Sequence, residues 1–267
     1  MILGFDIGNT KTLLGIFEEG SRIPAATYRY RTMREMTSDE LTILVRSLIA
    51  SHAPEGSNAP LIDGIAFSSV VPEVNSRYHR MAQESFGMNA CEITARSRLN
   101  ITINYEEPGR LGVDRIVTAA AVYDEYGGDY IVIDLGTATT FGVVLAGGRF
   151  DGGLIGPGIG ITIDALAAHT SQLRKIAFEK PASLIARNTL DNLKSGFYYG
   201  WLSLVQGVVA RIENEYKKEF SVILTGGYAA IMGAAMERKA IVDPLLTMKG
   251  VGLVYRLNAQ DSQPRTQ

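Results

Sequence analysis

A strand–turn–strand pattern with an aspartate at its bend occurs twice in this sequence, and it narrows the folds open to the chain. Residues 131–144 read IVIDLGTATTFGVV. The run 130–133 is apolar and rich in β-branched residues, as a buried strand requires. Asp134 closes that strand, and Gly136 lets the chain reverse without a Cβ clash. Thr137, Ala138, Thr139 and Thr140 then offer hydroxyls and free backbone N–H groups before 141–145 turns apolar again. Residues 2–17, ILGFDIGNTKTLLGIF, repeat the pattern. Laid over one another, Asp6 falls on Asp134, Gly8 on Gly136, Thr12 on Thr140 and Gly15 on Gly142, with one residue of slack. A turn of this kind wraps a phosphate with backbone donors while its carboxylate holds a cation. Either copy alone is equally well an ordinary hairpin with a glycine turn. Two aligned copies, each with Asp at the strand end, point instead to two similar domains that offer their turns to one cleft. The copies lie too far apart for a solenoid.

The rest of the chain alternates strands and helices. Residues 22–34 predict a third strand. Residues 38–51 predict a helix with Ser38 as its cap, Asp39 and Glu40 at its positive end, and an apolar face of Leu41, Leu44, Val45 and Leu48. A loop at 53–60 leads to a buried strand at 61–71, a helix at 73–86 and a short strand at 90–93. Strands and helices in that order form a mixed α/β layer. Past the second hairpin, the Gly-Gly and Pro-Gly pairs within 151–158 predict tight loops. A helix from Gly160 would place backbone donors at its start, although many strand-to-helix loops bind nothing. Residues 189–218 predict a long helix capped by Asn188 or Thr189, whose Gly196, Gly200 and Gly207 suggest close helix packing. Phe197, Tyr198, Tyr199 and Trp201 read as core or subunit contact. The segment 222–230, VILTGGYAA, reads as strand, Gly-Gly loop and helix start, a loop suited to the flat face of a nucleotide. Residues 259–267 form a polar tail.

Composition excludes several function classes. A net charge of −2 gives no basic footprint for nucleic acid, but backbone N–H groups still bind small anions. The single cysteine, Cys91, rules out an internal disulfide and a multi-cysteine zinc site, and its apolar surroundings predict a buried core position. The histidines at 52, 79 and 169 show no metal or triad spacing. Asp6 interrupts the apolar N-terminus too early for a signal peptide, and no apolar run spans a bilayer, so a cytoplasmic location without membrane contact is expected.

Residues 105–121, YEEPGRLGVDRIVTAAA, hold the remaining candidates. Pro108-Gly109 breaks the chain. Asp114 and Arg115 enter the first turn of a helix whose apolar face includes Ile116, Ala119, Ala120 and Tyr123. Carboxylates favour helix N-termini for electrostatic reasons alone, and Arg115 is as readily a surface charge, so spacing leaves their role open.

Taken together, these segments resemble the type III pantothenate kinases, of the superfamily that holds acetate and sugar kinases, heat-shock chaperones and actin. DIGNT at 6–10, LGVDR at 111–115 with Tyr105 and Pro108 upstream, IDLGTATT at 133–140, GGLIGPG at 152–158 and NTLDNLKSGFYYG at 188–200 match the family's segments in order over nearly the whole chain. The resemblance implies an actin-like ATPase fold of the ribonuclease H-like type: two similar domains, each a mixed sheet flanked by helices, with the active-site cleft between them. We place them at 1–113 and 114–258, followed by the tail. It implies ATP-dependent phosphorylation of pantothenate to 4′-phosphopantothenate, the first step of coenzyme A synthesis, by a homodimer.

Residue by residue, the resemblance puts Asp6, Ile7, Gly8, Asn9, Thr10, Lys11, Thr12 and Leu13 along the ATP phosphates, with Thr137 as a further ATP contact. Asp114 resembles the family's catalytic base. Tyr105, Gly112, Val113, Asp114, Arg115 and Thr189 resemble its substrate contacts, Arg115 being suited to a two-pronged grip on the pantothenate carboxylate. Asp134 resembles the ligand of a monovalent cation, K⁺ or NH₄⁺. Mg²⁺ is expected to bridge phosphate oxygens, aided by water and Asp6. Three other readings compete: another small-molecule kinase or a phosphatase of the superfamily, a regulatory accessory protein, and a filament-forming member. The other superfamily enzymes share the phosphate turns, and the segments at 111–115 and 188–200, which shape the substrate end, separate pantothenate kinase from them. The near-neutral charge and absent helix-turn-helix signal weigh against direct DNA binding, and the chain is short for a filament-forming member.

Overall fold

A computed structural model describes residues 1–52 and 61–259. The loop expected at 53–60 and the tail beyond Ala259 lie outside the described residues. The chain divides into two compact units. Unit 1 comprises Met1–Tyr126, Gly148–Phe150 and Leu245–Gln267, and unit 2 comprises Gly127–Gly147 and Asp151–Pro244.

In unit 1, β1 (Ile2–Ile7) and β2 (Lys11–Phe17) form the first hairpin and β3 (Ala26–Arg31) extends it antiparallel. Helix α1 (Ser38–His52) leads to β4 (Gly64–Ser69), and α2 (Pro72–Phe86) to the short β5 (Cys91–Glu92). The strand order is β3-β2-β1-β4-β5, with β4 parallel to β1 and β5. Strand β6 (Thr102–Ile103) pairs in parallel with Arg149 and Phe150, and α3 (Val113–Tyr126) follows it in the chain.

Unit 2 repeats this plan. Its strands are β7 (Tyr130–Leu135), β8 (Ala138–Leu145), β9 (Arg149–Pro157), which enters the unit at Asp151, β10 (Ser221–Thr225) and β11 (Ala240–Val242). Helices α4 (Ile159–Ala168) and α5 (Thr189–Tyr216) precede β10, and α6 (Ala229–Ala235) follows it. The order β11-β10-β7-β8-β9 is the unit 1 order strand for strand: the antiparallel hairpin at the centre, the third strand beyond it, and the fourth and fifth parallel on the other side. Helix α7 (Leu246–Ala259) returns to unit 1.

Strand alternation assigns the faces. Leu3, Phe5, Ile7, Leu14, Ile16, Ile65 and Phe67 point into a core closed by α1 and α2. Ile2, Gly4 and Asp6 point the other way, towards α3 and α7. Glycine at position 4 admits α7, since a Cβ there would lie 3.1 Å from Val251 and 3.2 Å from Met248. In unit 2 the core face of β7 and β8, with Ile131, Ile133, Leu135, Phe141 and Val143, packs on Tyr198, Trp201, Val205 and Val209 of α5. Asp134 again lies on the opposite face.

The structure revises several sequence expectations. Ile7 pairs with Thr12 and Leu135 pairs with Thr139, so Thr12 corresponds to Thr139 rather than Thr140, and the slack residue lies inside the first turn. The first unit runs on past position 113 to Tyr126, because α3 is buried over residues 116–122 and packs on β4 and α7. Thr37, not Ser38, caps α1: its hydroxyl accepts from the Glu40 N–H at 3.2 Å, and Glu40 Oε2 accepts from the Thr37 N–H at 2.8 Å. The segment 152–157 is strand, although Gly152 and Gly153 hold φ of +82° and +150° within it. Cys91 is half-buried rather than core. Gly196 and Gly200 face open space and mark no close packing.

Candidate active site

Asp6 is the last residue but one of β1 and lies on the α3–α7 face. The parallel register sets Ser68 beside it, and the Ser68 hydroxyl donates to Asp6 Oδ1 at 2.8 Å. Burial pushes the Asp6 carboxyl up to about 6. The Ser68 hydroxyl opposes that rise and the negative charge of Asp114 adds to it. Asp114 arrives on the first turn of α3, where the Gly112 carbonyl accepts from the N–H groups of Arg115 at 3.0 Å and Ile116 at 3.2 Å. A Cβ at Gly112 would stand 2.5 Å from Asp114 Oδ1, so glycine lets the carboxylate fold back. There Oδ1 accepts from the Arg115 N–H at 2.8 Å.

Burial raises the Asp114 carboxyl above its ordinary value, while the Arg115 N–H and guanidinium pull it down. A carboxylate serving only a helix N-terminus is held low by the N–H groups and dipole it serves. Asp114 is instead held high by its burial, against the pull of the N–H groups at the helix start. Arg115 lies with its guanidinium 5.5 Å from the centre of the Phe150 ring and bonds to the Tyr105 side chain. Tyr105 itself is exposed and Val113 half-buried.

The first turn is closed by the Gly8 N–H donating to the Lys11 carbonyl at 3.1 Å. Asn9, Thr10 and Lys11 are exposed. Ile7 and Thr12 are fully buried, and Leu13 pairs with Asp6 across the hairpin. Unit 1 thus brings Asp6, the turn, Tyr105 and residues 112–115 into one body.

Asp134, Thr137 and Thr189 belong to unit 2. The turn there is closed by the Gly136 N–H donating to the Ala138 carbonyl at 3.0 Å. Two glycines wall it. Gly158, the cap of α4, would place a Cβ 2.1 Å from the Thr137 carbonyl oxygen and 2.7 Å from that of Gly136. Gly226, at φ +89°, would place one 2.3 Å from Asp134 Oδ1 and 2.8 Å from the Leu135 nitrogen. Thr137 is exposed. Behind the turn, Trp201 Nε1 donates to the buried Thr139 hydroxyl at 3.4 Å, and the Trp201 ring stacks on Phe197 at 5.8 Å. Thr189 opens α5, whose cap Asn188 accepts from the Asp191 N–H at 3.0 Å.

Sequence reasoning missed Ser68 as a support of the site and read Trp201 as core or subunit contact only. Gly226 lies in the Gly-Gly loop that the sequence offered to a nucleotide, but its place against Asp134 was not foreseen.

The donor sets fit the expected ions. No cluster of three or more His, Cys, Asp and Glu side chains suited to a metal occurs among the described residues. Mg²⁺ needs none, since it takes one or two carboxylates and fills its shell with water and phosphate oxygens. Asp6 and Asp114 are hard oxygen donors whose carboxyls are raised mainly by burial. In unit 2 the lack of a Cβ at Gly226 lets its loop pack close against Asp134 Oδ1 and the Leu135 backbone, and carboxylate and backbone oxygens are donors of the kind a monovalent cation takes.

Asp6 makes one prediction for the free protein. Its folded value of about 6 lies above the ordinary 3.8, so the folded state holds the proton more tightly. The stability this gives is complete below 3.8 and is lost as pH rises through about 6. Asp6→Asn removes the charge, so it is expected to stabilise the free protein by ~1–3 kcal/mol at pH 8 and to lose that advantage near pH 4. Denaturant midpoints at the two pH values measure this, and an advantage independent of pH would sink the account.

Comparison with known proteins places these features in a family. A family model described as type III pantothenate kinase matches residues 2–211. Three type III pantothenate kinases, among them that of Halalkalibacterium halodurans, are 35–38% identical, and each match covers 97% or more of both chains. Among solved structures, a protein assigned to the Baf family of transcriptional activators from Campylobacter jejuni superposes with a TM-score of 0.61 at 19% identity, over 97% of this chain and 99% of that one. A protein assigned as a 2-dehydro-3-deoxygalactonokinase from Sinorhizobium meliloti superposes at 0.60 and 12% identity, over the full length of both. At such identities the superpositions show the fold alone, the two-part ATPase-like fold that sugar kinases share.

Proposed function

Because the chain belongs to the type III pantothenate kinase family, it phosphorylates pantothenate with ATP at the first step of coenzyme A synthesis, and we propose that Asp114 is the general base of that transfer. The observation that carries this assignment is the raised Asp114 carboxyl at the start of α3, in the same unit as the Asp6 turn and within reach of Asp6 by charge.

Phosphoryl transfer needs positioning and charge neutralisation more than covalent chemistry. The turn at 6–10 offers backbone N–H groups to phosphate oxygens, and the turn at 134–140 offers a second set. Lys11, exposed at the start of β2, is available to a phosphate as a flexible cation. Mg²⁺, when bound with ATP, neutralises phosphate charge at the Asp6 side. Asp114 accepts the proton of the primary hydroxyl of pantothenate as the new P–O bond forms, and its raised carboxyl makes it a better acceptor at neutral pH than an ordinary aspartate. Arg115, held by Tyr105 and Phe150, presents a guanidinium to the pantothenate carboxylate. Thr189, at the start of α5, is the substrate contact we assign to unit 2.

Asp134 binds the monovalent cation. Asp134→Ala is expected to abolish activation by potassium, while the residual rate in sodium changes little. An unchanged potassium response in steady-state assays would place the cation elsewhere. The test of the whole reading is ADP release with ATP, Mg²⁺ and potassium, with and without pantothenate. ADP release indifferent to pantothenate would refute it.

The reading includes a homodimer that works in the cytoplasm, where ATP is supplied. Unit 2 exposes Leu154, Ile155, Ile161, Leu184, Ile185 and Leu190, apolar side chains that favour cover by a second copy. Sedimentation equilibrium reads the assembly directly, and a monomer at working concentration would remove the dimer. No helix among the described residues is long and apolar enough to cross a membrane. The regulatory alternative gains nothing from the Baf superposition, which speaks to fold only.

A further inference from the structure

We propose that Thr32 is a positioning residue for the first phosphate turn, the last link of a hydroxyl chain that starts at the buried Thr12 and fixes the Gly8–Asn9 peptide plane. The proposal rests on the reading that this turn carries the ATP phosphates.

Thr32 follows β3 and grips the turn at two points. Its hydroxyl donates to the Gly8 carbonyl at 2.7 Å, and its backbone N–H donates to the Thr10 carbonyl at 3.1 Å. Across a trans peptide the C=O and the following N–H point in opposite directions. Holding the Gly8 carbonyl towards Thr32 therefore turns the Asn9 N–H to the other side of the turn, away from β3. A donor aimed in this way needs no reorganisation when an anion arrives.

The direction of the chain follows from proton counting. A carbonyl only accepts, so the single Thr32 hydroxyl proton is committed to Gly8. Thr12 Oγ1 lies 2.9 Å from Thr32 Oγ1 and must be the donor of that pair. The order Thr12, Thr32, Gly8 thus runs one way from β2 to the turn. Thr12 is fully buried, so its hydroxyl is shielded from water that would compete for the link to Thr32. Strand parity explains the assembly: Thr12 shares the α1–α2 face with Leu14 and Ile16, while Asp6 works on the opposite face. The side chain that supports the turn and the one that faces the reaction are therefore separated by the sheet itself.

Thr32→Val tests this, since it keeps the β-branched shape and the backbone bond to Thr10 but removes the hydroxyl. The expected result is a ~3–10-fold rise in the KM for ATP, the scale of one lost hydrogen bond, with the KM for pantothenate within twofold of wild type (~2-fold being assay scatter against that scale). Thr32→Ser restores the hydroxyl and is expected to restore the ATP KM. An unchanged ATP KM in Thr32→Val overturns the proposal, and so does an equal loss for both substrates with no rescue by serine, which marks a merely structural role. Gly8→Val separately tests the underlying reading by crowding the turn. A wild-type ATP KM in that variant refutes the reading and the proposal together. Weakened ATP binding in Gly8→Val beside a wild-type ATP KM in Thr32→Val overturns the proposal alone.

Discussion

Asp114→Asn is expected to lower kcat by at least ~10²-fold while ATP binding stays within a few-fold of wild type. Asparagine keeps the shape at the start of α3, and its side-chain oxygen still accepts from the Arg115 N–H, the bond seen at 2.8 Å. What it cannot do is take a proton. The loss therefore falls on kcat and on kcat/KM alike, as for an interaction realised in the transition state. The pH profile adds a check. Burial raises the Asp114 carboxyl, and a base works only when ionised. The acidic limb of the wild-type kcat/KM profile is thus expected above the ordinary carboxylate range, and Asp114→Asn should remove it. Asp114 also raises Asp6 by charge, so the Asp6 titration near 6 should move down in the variant, which carboxyl NMR would follow. Near-normal turnover in Asp114→Asn would take the base role away from this residue.

Strand periods carried much of the fold into the sequence, and long-range contacts did not. Both hairpins were legible because an apolar run followed by Asp, then Gly, has a local cause at every position. The start of α3 at Asp114 was legible for the same reason. The segment 152–157 was not, because Gly152, Gly153 and Pro157 each favour turns locally and only its place in the sheet beyond β8 makes it a strand. Register was misread by one residue, since the longer first turn shifts Thr12 onto Thr139 without changing any residue type in the motif. The continuation of unit 1 to Tyr126 depends on α7, which returns to that unit from the far end of the chain. At the site, the residues that face ligand were named from motifs, whereas those that hold them came from elsewhere: Ser68 through the parallel pairing of β1 with β4, Thr32 from the end of β3, Trp201 from α5. Such supports touch backbone or a single side-chain atom, and a sequence records no such distances.

Gly158→Ala tests the most demanding of these contacts. Gly158 has φ −85° and ψ 154°, an extended conformation that any residue adopts, so alanine brings no backbone penalty. The cost is entirely one of space. The added Cβ would stand 2.1 Å from the Thr137 carbonyl oxygen, 2.6 Å from its carbon and 2.7 Å from the Gly136 oxygen. These neighbours are backbone, and the turn they form is pinned between β7 and β8, so it has no rotamer to yield with. Either the turn or the start of α4 must move. The expected outcome is a loss of ~1–3 kcal/mol of stability and at least a ~10-fold loss in kcat/KM for ATP, since displacements of about 1 Å at a reacting centre cost up to ~10²-fold. Gly196→Ala is the matched control. Gly196 lies within α5 with nothing inside 4 Å of its added Cβ, and there alanine is expected to stabilise by ~0.5–1 kcal/mol. Thermal unfolding and ATP kinetics on the two variants compare the same chemical change, a single methyl, at two sites that differ in what surrounds them. If both variants behave alike, the fit of α4 against the phosphate turn is not what holds that turn in place.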